Sequence, residues 1–321
     1  FNTLVKESEI SEAADFIAKI AEIGANALIV QDIGIVRLVR EYFPFLPIHA
    51  STQMAIHNSD GAKIAKDMGI SRVILERQLT FDEIRLISGN SPVEIEIFIH
   101  GAMCCSLSGQ CLFSSWAGGF SGNRGKCKQA CRFPESVDGK TQYPLSTRDL
   151  SMIEKIPFLK KMKISSFKIE GRLRGTDYVK NVVAAYRMMI DASPEEENEI
   201  LKQSKKIISY SLSRESFSGF EKDFSSLINP EKSGSAGDLC GEIIKILHGG
   251  FLAKMSGKLH IGDKVRAQKD GVGEPCAFTV KKIMLNEKDV KSVFRDDCAF
   301  FQCEREIKQG QFLYKIGESS S

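Results

Sequence analysis

Residues 27–53 read ALIVQDIGIVRLVREYFPFLPIHASTQ. "ALIV" is a short apolar run of buried-strand type, ending at Gln31 and Asp32. Residues 34–42 carry apolar side chains at helical spacing, and "PIHAST" (47–52) is a second strand. The same rhythm runs outward in both directions. Upstream, residues 11–23 predict a helix stopped by Gly24. Downstream come a helix near 58–68, a strand "RVILER" (72–77), a short helix beginning at Thr80, and the longest strand signal, "VEIEIFIHG" (93–101). Short apolar strands alternating with helices imply a parallel sheet. Each strand ends in polar residues: Gln31 and Asp32, Ser51–Gln53, Glu76 and Arg77, His100. In a (β/α) barrel the C-terminal strand ends form the active face. In an open doubly wound sheet they do so only near a switch point, and no GxGxxG follows any strand. The expected fold class is therefore α/β, a TIM-like (β/α) barrel. The plainer alternative is that these polar residues only satisfy loop backbone.

After His100 the rhythm breaks. Residues 102–140 form a loop rich in Cys, Gly and Ser, without periodicity. Regularity returns with a strand "YPLST" (143–147), a helix near 149–161, a strand "SFKIEGR" (166–172) and a helix from Thr176 to about Asp191. Pro194 and the acidic run Glu195–Glu197 open a polar helix and linker. Beyond it lie short alternating strands with Gly turns: "GEIIKIL" (241–247), "FLAKM" (251–255), "GDKVRAQ" (262–268), "AFTVKKIML" (277–285) and "GQFLYKI" (310–316). These predict a small β-barrel or sandwich. The expected division is a barrel over 1–192 carrying the 102–140 loop, a linker over 193–235, and an all-β domain over 236–321.

The length of 321 residues fits about two domains. No apolar run approaches the roughly 18 to 20 residues of a membrane helix, so no membrane partner is expected. The net charge of +3 makes any nucleic-acid surface a local patch. Nine cysteines, an odd count without a signal peptide, argue against a secreted disulfide framework. A reducing, cytoplasmic setting is expected, with clustered thiols as ligands or catalysts. The chain begins at Phe1 without Met, so it can be a fragment.

Five of the nine cysteines lie between Cys104 and Cys131, with the spacing Cys104-x6-Cys111-x15-Cys127-x3-Cys131. Four thiolates in one loop can enclose a metal centre. Structural zinc usually shows two close pairs, and only the second pair is close here. The wide gaps suit a cubane Fe–S cluster, whose irons each take one Cys. Zinc and reactive or structural thiols remain the alternatives, and Cys105 can replace Cys104 as first ligand. Arg124, Lys126, Lys128 and Arg132 make the loop basic, suited to a carboxylate, a phosphate or an RNA backbone, or merely solvated.

"EIFIHGAMCCSLSGQC" (96–111) resembles the signature E-x-F-x2-G-[SA]-[LIVM]-C-x4-G-x-C of peptidase family U32, the collagenase-like proteases. It is met by Glu96, Phe98, Gly101, Ala102, Met103, Cys104, Gly109 and Cys111. "SGNRGKCKQACR" (121–132), "SSFKIEGRLRGTDYVKNVVAAYR" (165–187), "VQDIG" and "HASTQ" continue the resemblance. It implies a TIM-like barrel whose first strands precede Phe1. Several family members resemble oxygen-independent hydroxylases with a [4Fe–4S] cluster on four cysteines. Their substrates are a transfer-RNA wobble uridine, a ribosomal-RNA cytidine and a ubiquinone precursor. The RNA enzymes depend on prephenate as hydroxyl source. The resemblance is nearest the type acting on a cytidine of 23S ribosomal RNA, with tRNA as the alternative RNA partner and an unidentified electron donor. Some relatives carry a cysteine where this chain has Ser151, which leaves Cys131 as the implied fourth ligand.

The family name implies a protease, but no HExxH or GxSxG is present. A Cys–His protease from Cys104 or Cys105 with His100 would leave the other thiols surplus. A plain RNA-binding module would leave the cysteine spacing unexplained. Lys168, Glu170 and Arg172 alternate along one expected strand and share a face. Arg172 could clamp a carboxylate such as that of prephenate, and Glu170 could serve as acid or base. An internal salt-bridge set is the alternative. His49 and His100 are candidate proton-transfer groups, with Gln53, Glu76 and Arg77 as further strand-end candidates. The expected substrate-binding set is Arg124, Lys126, Arg132 and Gln53. Further basic candidates for RNA are Lys160, Lys161 and Lys163, then Lys264, Arg266, Lys281 and Lys282.

Overall fold

The computed structural model describes residues 1–172, 174–209, 215–221, 225–231, 238–269 and 272–317. The first unit opens with α1 (Ile10–Glu22), β1 (Leu28–Val30), α2 (Ile33–Tyr42), β2 (Ile48–Ala50), α3 (Ser59–Asp67), β3 (Arg72–Ile74), α4 (Phe81–Asn90) and β4 (Glu94–Ala102). Local chemistry sets the boundaries. Asp32 caps α2 by accepting from the Ile35 N–H, and Asn58 caps α3 through Gly61. Thr80 and Glu83 form a reciprocal capping box on α4. The four strands pair in parallel and in chain order. Between them and the helices lies one core, including Ile17, Val30, Ile48, Val73, Ile95, Ile97 and Ile99.

The 102–140 segment is more ordered than its lack of periodicity suggests. It holds a short helix, α5 (Phe113–Trp116), and a hairpin of β5 (Glu135–Val137) and β6 (Lys140–Gln142). The hairpin turns on Asp138 and Gly139, both at positive φ, which is the Asp-Gly signal of a tight primed turn.

The next stretch corrects two expectations. The strand is β7 (Asp149–Ser151), not 143–147, and the helical part is confined to the 3-10 turn Ile153–Lys155 and α6 (Ile156–Leu159). Pro144 supplies no ladder N–H, whereas Leu150 and Met152 are buried and draw the following residues into the sheet. β7 runs antiparallel to the end of β4, pairing His100 with Ser151. β8 (Ser166–Ile169) runs parallel to the earlier part of β4 and stops short of residue 172. α7 (Thr176–Asp191) packs against α8 (Glu197–Ser209), where the Ser204 hydroxyl donates to the Ala185 carbonyl. β9 (Ser216–Phe217) pairs with β7. Phe217, Phe220 and Leu227, from the stretch read as a linker, belong to the first core.

The sheet order is β1-β2-β3-β4-β7-β9, with β8 also on β4. It is an open, mostly parallel α/β sheet with β1 at one end, so ring closure is not seen among the described residues. The C-terminal unit comprises β10 (Asp238–Leu247), β11 (Gly250–Met255), β12 (Leu259–His260), β13 (Lys264–Lys269), β14 (Val272–Thr279), β15 (Ile283–Leu285), β16 (Lys288–Val290), β17 (Ser292–Val293), β18 (Cys298–Gln302) and β19 (Phe312–Gly317). Eight strands form one sheet, ordered β14-β13-β19-β10-β11-β18-β15-β16; β12 and β17 pair separately. It encloses its own core around Ile243, Phe251, Leu259, Ile283 and Phe301. It is a small β domain whose hydrogen-bonded path, among the described residues, has two ends rather than a closed ring. No helix among the described residues is long and apolar enough to cross a membrane.

Candidate functional site

The thiol-rich loop is fastened over the C-terminal ends of β2, β3 and β4. The Arg77 guanidinium, just beyond β3, donates to the Ala102 carbonyl at 2.7 Å. Gln78 donates to the Cys104 carbonyl at 3.1 Å, and buried Glu76 accepts from the Ser108 N–H at 2.8 Å. Two signature glycines permit the closest approaches. Gly101 sits at φ +110°, and a Cβ there would lie 2.5 Å from the Glu170 carbonyl oxygen. Gly109 sits at φ +79°, and a Cβ would overlap the Gln53 carbonyl group.

None of the nine cysteines is in a disulfide. Cys104, Cys105 and Cys131 lie together, with the Cys105 thiol in hydrogen-bond contact with the other two. Those contacts hold the Cys105 pKa far up. The same contact lowers Cys104 to about 6, with Arg77 assisting, and lowers Cys131 to about 7, with Arg132 assisting. Cys127 is exposed; its sulfur accepts from the Gln129 N–H at 3.3 Å and lies 3.8 Å from the Ser114 hydroxyl. A Cβ at Gly122 would lie within 4 Å of both the Cys127 Cβ and the Cys111 carbonyl oxygen.

Among the described residues no three Cys, His, Asp or Glu side chains are grouped to hold one metal ion. A single zinc needs its sulfurs around one point, at bonds of about 2.3 Å. A cubane takes one thiolate at each of four irons, and so asks for four cysteines around a larger volume. Five thiols within 28 residues, two with lowered pKa, fit the second kind of group in donor chemistry.

The structure divides the expected Lys168–Glu170–Arg172 face. Lys168 donates to Glu96 at 2.9 Å, and Arg72 reaches the other oxygen of Glu96 at 3.2 Å. Burial pushes the Glu96 carboxyl up, but the hydrogen bonds from Lys168 and Arg72 outweigh it and the pKa is lowered. Glu170 lies beyond β8 and pairs with Arg77 at 3.5 Å. The Phe98 ring carries Arg77 at 4.0 Å and Lys168 at 5.4 Å, joining the two ion-pair sets. Arg172, in the turn after Gly171, is exposed and unpaired among the described residues.

His100 is not on that face. The β4–β8 register shifts between Phe98 and His100, so His100 pairs with Ile169 while Phe98 pairs with Lys168. Paired residues share a face and neighbours alternate, so the bulge turns His100 away from Lys168. Its ring packs edge-on to Tyr186 and beside Tyr178, both from α7. It is 2% exposed, and Nδ1 lies 3.3 Å from the Tyr186 hydroxyl. Burial lowers its pKa to about 4, with nearby Asp149 and Arg174 working in opposite directions. His100 is therefore neutral at pH 7. Because the folded pKa lies below the unfolded value of about 6.5, this group's stability is complete above pH 6.5. It is lost as pH falls towards 4, by up to about 3 kcal/mol at 1.36 kcal/mol per unit. Urea unfolding between pH 4 and 7 should show this acid limb, and His100→Phe should flatten it. His49, on β2, is half-buried, and its pKa is lowered by burial, then by Arg72.

Three of the four expected substrate-binding residues are occupied by tertiary contacts. Arg124 holds both carboxylate oxygens of Glu9 and the Leu4 carbonyl. Arg132 donates to Ser146, Thr147 and the Met103 carbonyl. Gln53 donates to the Asn2 carbonyl. A guanidinium already bound to a carboxylate has its charge compensated, and so offers little to an incoming anion. Lys126 is exposed. Sequence reasoning ranked Arg77 low, and missed Tyr178, Tyr186 and the ion pair of buried Asp149 with Arg174 at 3.1 Å. The signal for Arg174 and Tyr178 was the charged and aromatic density of "KIEGRLRGTDY" (168–178).

Residues 1–226 match Peptidase family U32. A 23S rRNA 5-hydroxycytidine synthase of Escherichia coli is 39% identical over 210 residues, covering 63% of this chain and 32% of that protein. A tRNA hydroxylation protein of Bacillus subtilis is 34% identical over 204 residues, covering 60% of this chain and 48% of that protein. An uncharacterized protease of Methanocaldococcus jannaschii is 30% identical over 345 residues, covering 99% of this chain and 83% of that protein. The chain thus spans about a third of the first hydroxylation relative and about half of the second.

Proposed function

Because the chain belongs to peptidase family U32, we propose that it carries the catalytic part of an Fe–S-dependent, oxygen-independent RNA nucleobase hydroxylase. The observation that carries this reading is the docking of the five-thiol loop over the C-terminal strand ends, the usual active face of such α/β units. The likeness to an rRNA cytidine synthase supports a cytidine of 23S ribosomal RNA as substrate. The likeness to a tRNA hydroxylation protein supports a tRNA uridine as the second reading.

Cys104, Cys111, Cys127 and Cys131 would hold a [4Fe–4S] cluster, with Cys105 as the protonated neighbour. When bound, the cluster supplies electron transfer or Lewis acidity at the reacting oxygen. The chain's own residues do the rest. Arg172, free at the rim, can clamp the carboxylate of prephenate as hydroxyl donor. Glu170, held by Arg77, is the candidate acid or base beyond β8. Glu96 and Glu94 with Lys168 and Arg72 form a neutralised charge set that stiffens the face beneath. His100 is a buried neutral group that orients α7 against β4. A cytoplasmic setting accords with free thiols and an RNA substrate. In the protease reading the expected base, His100, has its ring taken up by Tyr178 and Tyr186.

Anaerobic purification followed by iron, sulfide and zinc analysis tests the cluster. Iron and sulfide in about equal amounts are expected, Cys111→Ala should abolish both, and Cys276→Ala should leave them unchanged. Stoichiometric zinc without sulfide would sink the cluster. Mass spectrometry of RNA from a deletion strain tests the substrate: loss of ribosomal hydroxycytidine supports the first reading, and loss of tRNA hydroxyuridine alone moves the assignment to the second.

A further inference from the structure

Trp116 is the chain's single tryptophan, and it is 83% exposed. Burying an indole normally contributes strongly to a core, so a solitary Trp left in solvent at the end of a short helix needs a reason. Its neighbourhood supplies one. Phe113 lies one turn away with ring centroids 5.8 Å apart, and Leu112 beside it is exposed. Phe120 is partly exposed and carries the Lys128 ammonium 4.1 Å from its ring centroid. Lys126 is exposed two residues before Lys128. Aromatic faces interleaved with exposed lysines are the chemistry of a single-stranded nucleic-acid groove. Bases stack on the rings and the ammonium groups follow the phosphates. A protein partner would be served as well by apolar contact alone, and the two lysines favour the polyanion.

The patch is tied to the thiol loop. Ser114, inside the same helix, accepts from the Lys128 N–H at 3.1 Å, and its hydroxyl faces the Cys127 sulfur. Trp116 is thus two residues from a side chain that touches Cys127.

We propose that Trp116, with Phe120, Lys126 and Lys128, forms a stacking platform that holds an unpaired nucleotide flanking the target base. This rests on the RNA-hydroxylase reading, and it restricts the substrate to RNA whose target lies in a single-stranded or splayed segment.

The single Trp is its own probe. Titration of the anaerobically purified full chain with a short single-stranded oligoribonucleotide should quench Trp116 fluorescence saturably, and a fully paired duplex of the same sequence should quench it weakly. Trp116→Ala should weaken oligonucleotide binding, followed by fluorescence anisotropy of labelled RNA, about five- to a hundredfold. Trp116→Tyr should restore most of the affinity, because a smaller ring still stacks. Lys126→Ala with Lys128→Ala should lower the salt dependence of binding. Binding that is unchanged in Trp116→Ala, with no quenching in the parent, would overturn the platform. RNA that is still hydroxylated under those conditions would leave the hydroxylase reading intact. Equal binding of duplex and single strand would likewise overturn the platform. Loss of self-association in Trp116→Ala without any change in RNA binding would assign the patch to a protein contact, and would overturn it too.

Discussion

Gly109→Ala should destabilise the first unit by about 3 kcal/mol or more. Two costs add. At φ +79° a residue with a Cβ pays about 1 to 2 kcal/mol for the left-handed conformation. The new methyl would also overlap the Gln53 carbonyl oxygen and come within 2.9 Å of its carbon. Both are backbone atoms, so no rotamer change relieves the overlap, and either the strand-end turn after β2 or the thiol loop has to move. Gly139→Ala is the control, since Gly139 has φ +74° with nothing within 4 Å of a built Cβ. It should lose only the conformational part, about 1 kcal/mol. Urea unfolding of the two variants separates clash from strain. Faster alkylation of Cys104 and Cys111 in Gly109→Ala alone would report the undocked loop. Equal destabilisation of the two variants would show that the Gly109–Gln53 contact carries nothing.

Glu96→Ala should cost about 3 kcal/mol. Glu96 is 6% exposed and accepts from both Lys168 and Arg72. Removing one partner of a buried ion pair strands the others, which typically costs 3–5 kcal/mol. The lower end applies because the two cations keep about a quarter of their side-chain surface in solvent, and Arg72 retains exposed Glu94. Adding Lys168→Met should recover part of the loss, because the stranded ammonium disappears. The acid response has a definite sign. Glu96 has a lowered folded pKa, so its contribution is complete above the unfolded carboxylate value, about 4.3 to 4.5, and falls away below it. That window lies below the one set by His100, and the two limbs should separate in a stability profile against pH. A Glu96→Ala protein as stable as the parent would make the set a mere surface network.

Much of the architecture was legible in the residues. The helix starts at Asp32, Asn58 and Thr80 were readable because each cap acts within three positions of its own residue. The signature cysteines were readable because their spacing is a local quantity. Most of the misreadings turn on partners far along the chain. Pro144 and Leu150 were assigned to the wrong element because β7 forms only where β4 accepts it. Asp138-Gly139 was a readable hairpin signal that the cysteine density of its segment overshadowed. For Arg124 the sequence shows the charge but not its counter-charge, since Glu9 lies 115 positions away.

The amino-acid order by itself determined the strand–helix alternation, the thiol spacing, the family and the separate β-rich end. Each of these rests on periodicity or spacing within a few residues. Only the tertiary structure decided which charges are spent. One bulge between Phe98 and His100 placed Lys168 with Glu96 on one face of β4 and His100 under α7 on the other. Strand faces alternate with a period of two, so a single extra residue reverses every assignment beyond it. That shift costs nothing visible in the sequence, and it separates the charged face from the buried imidazole.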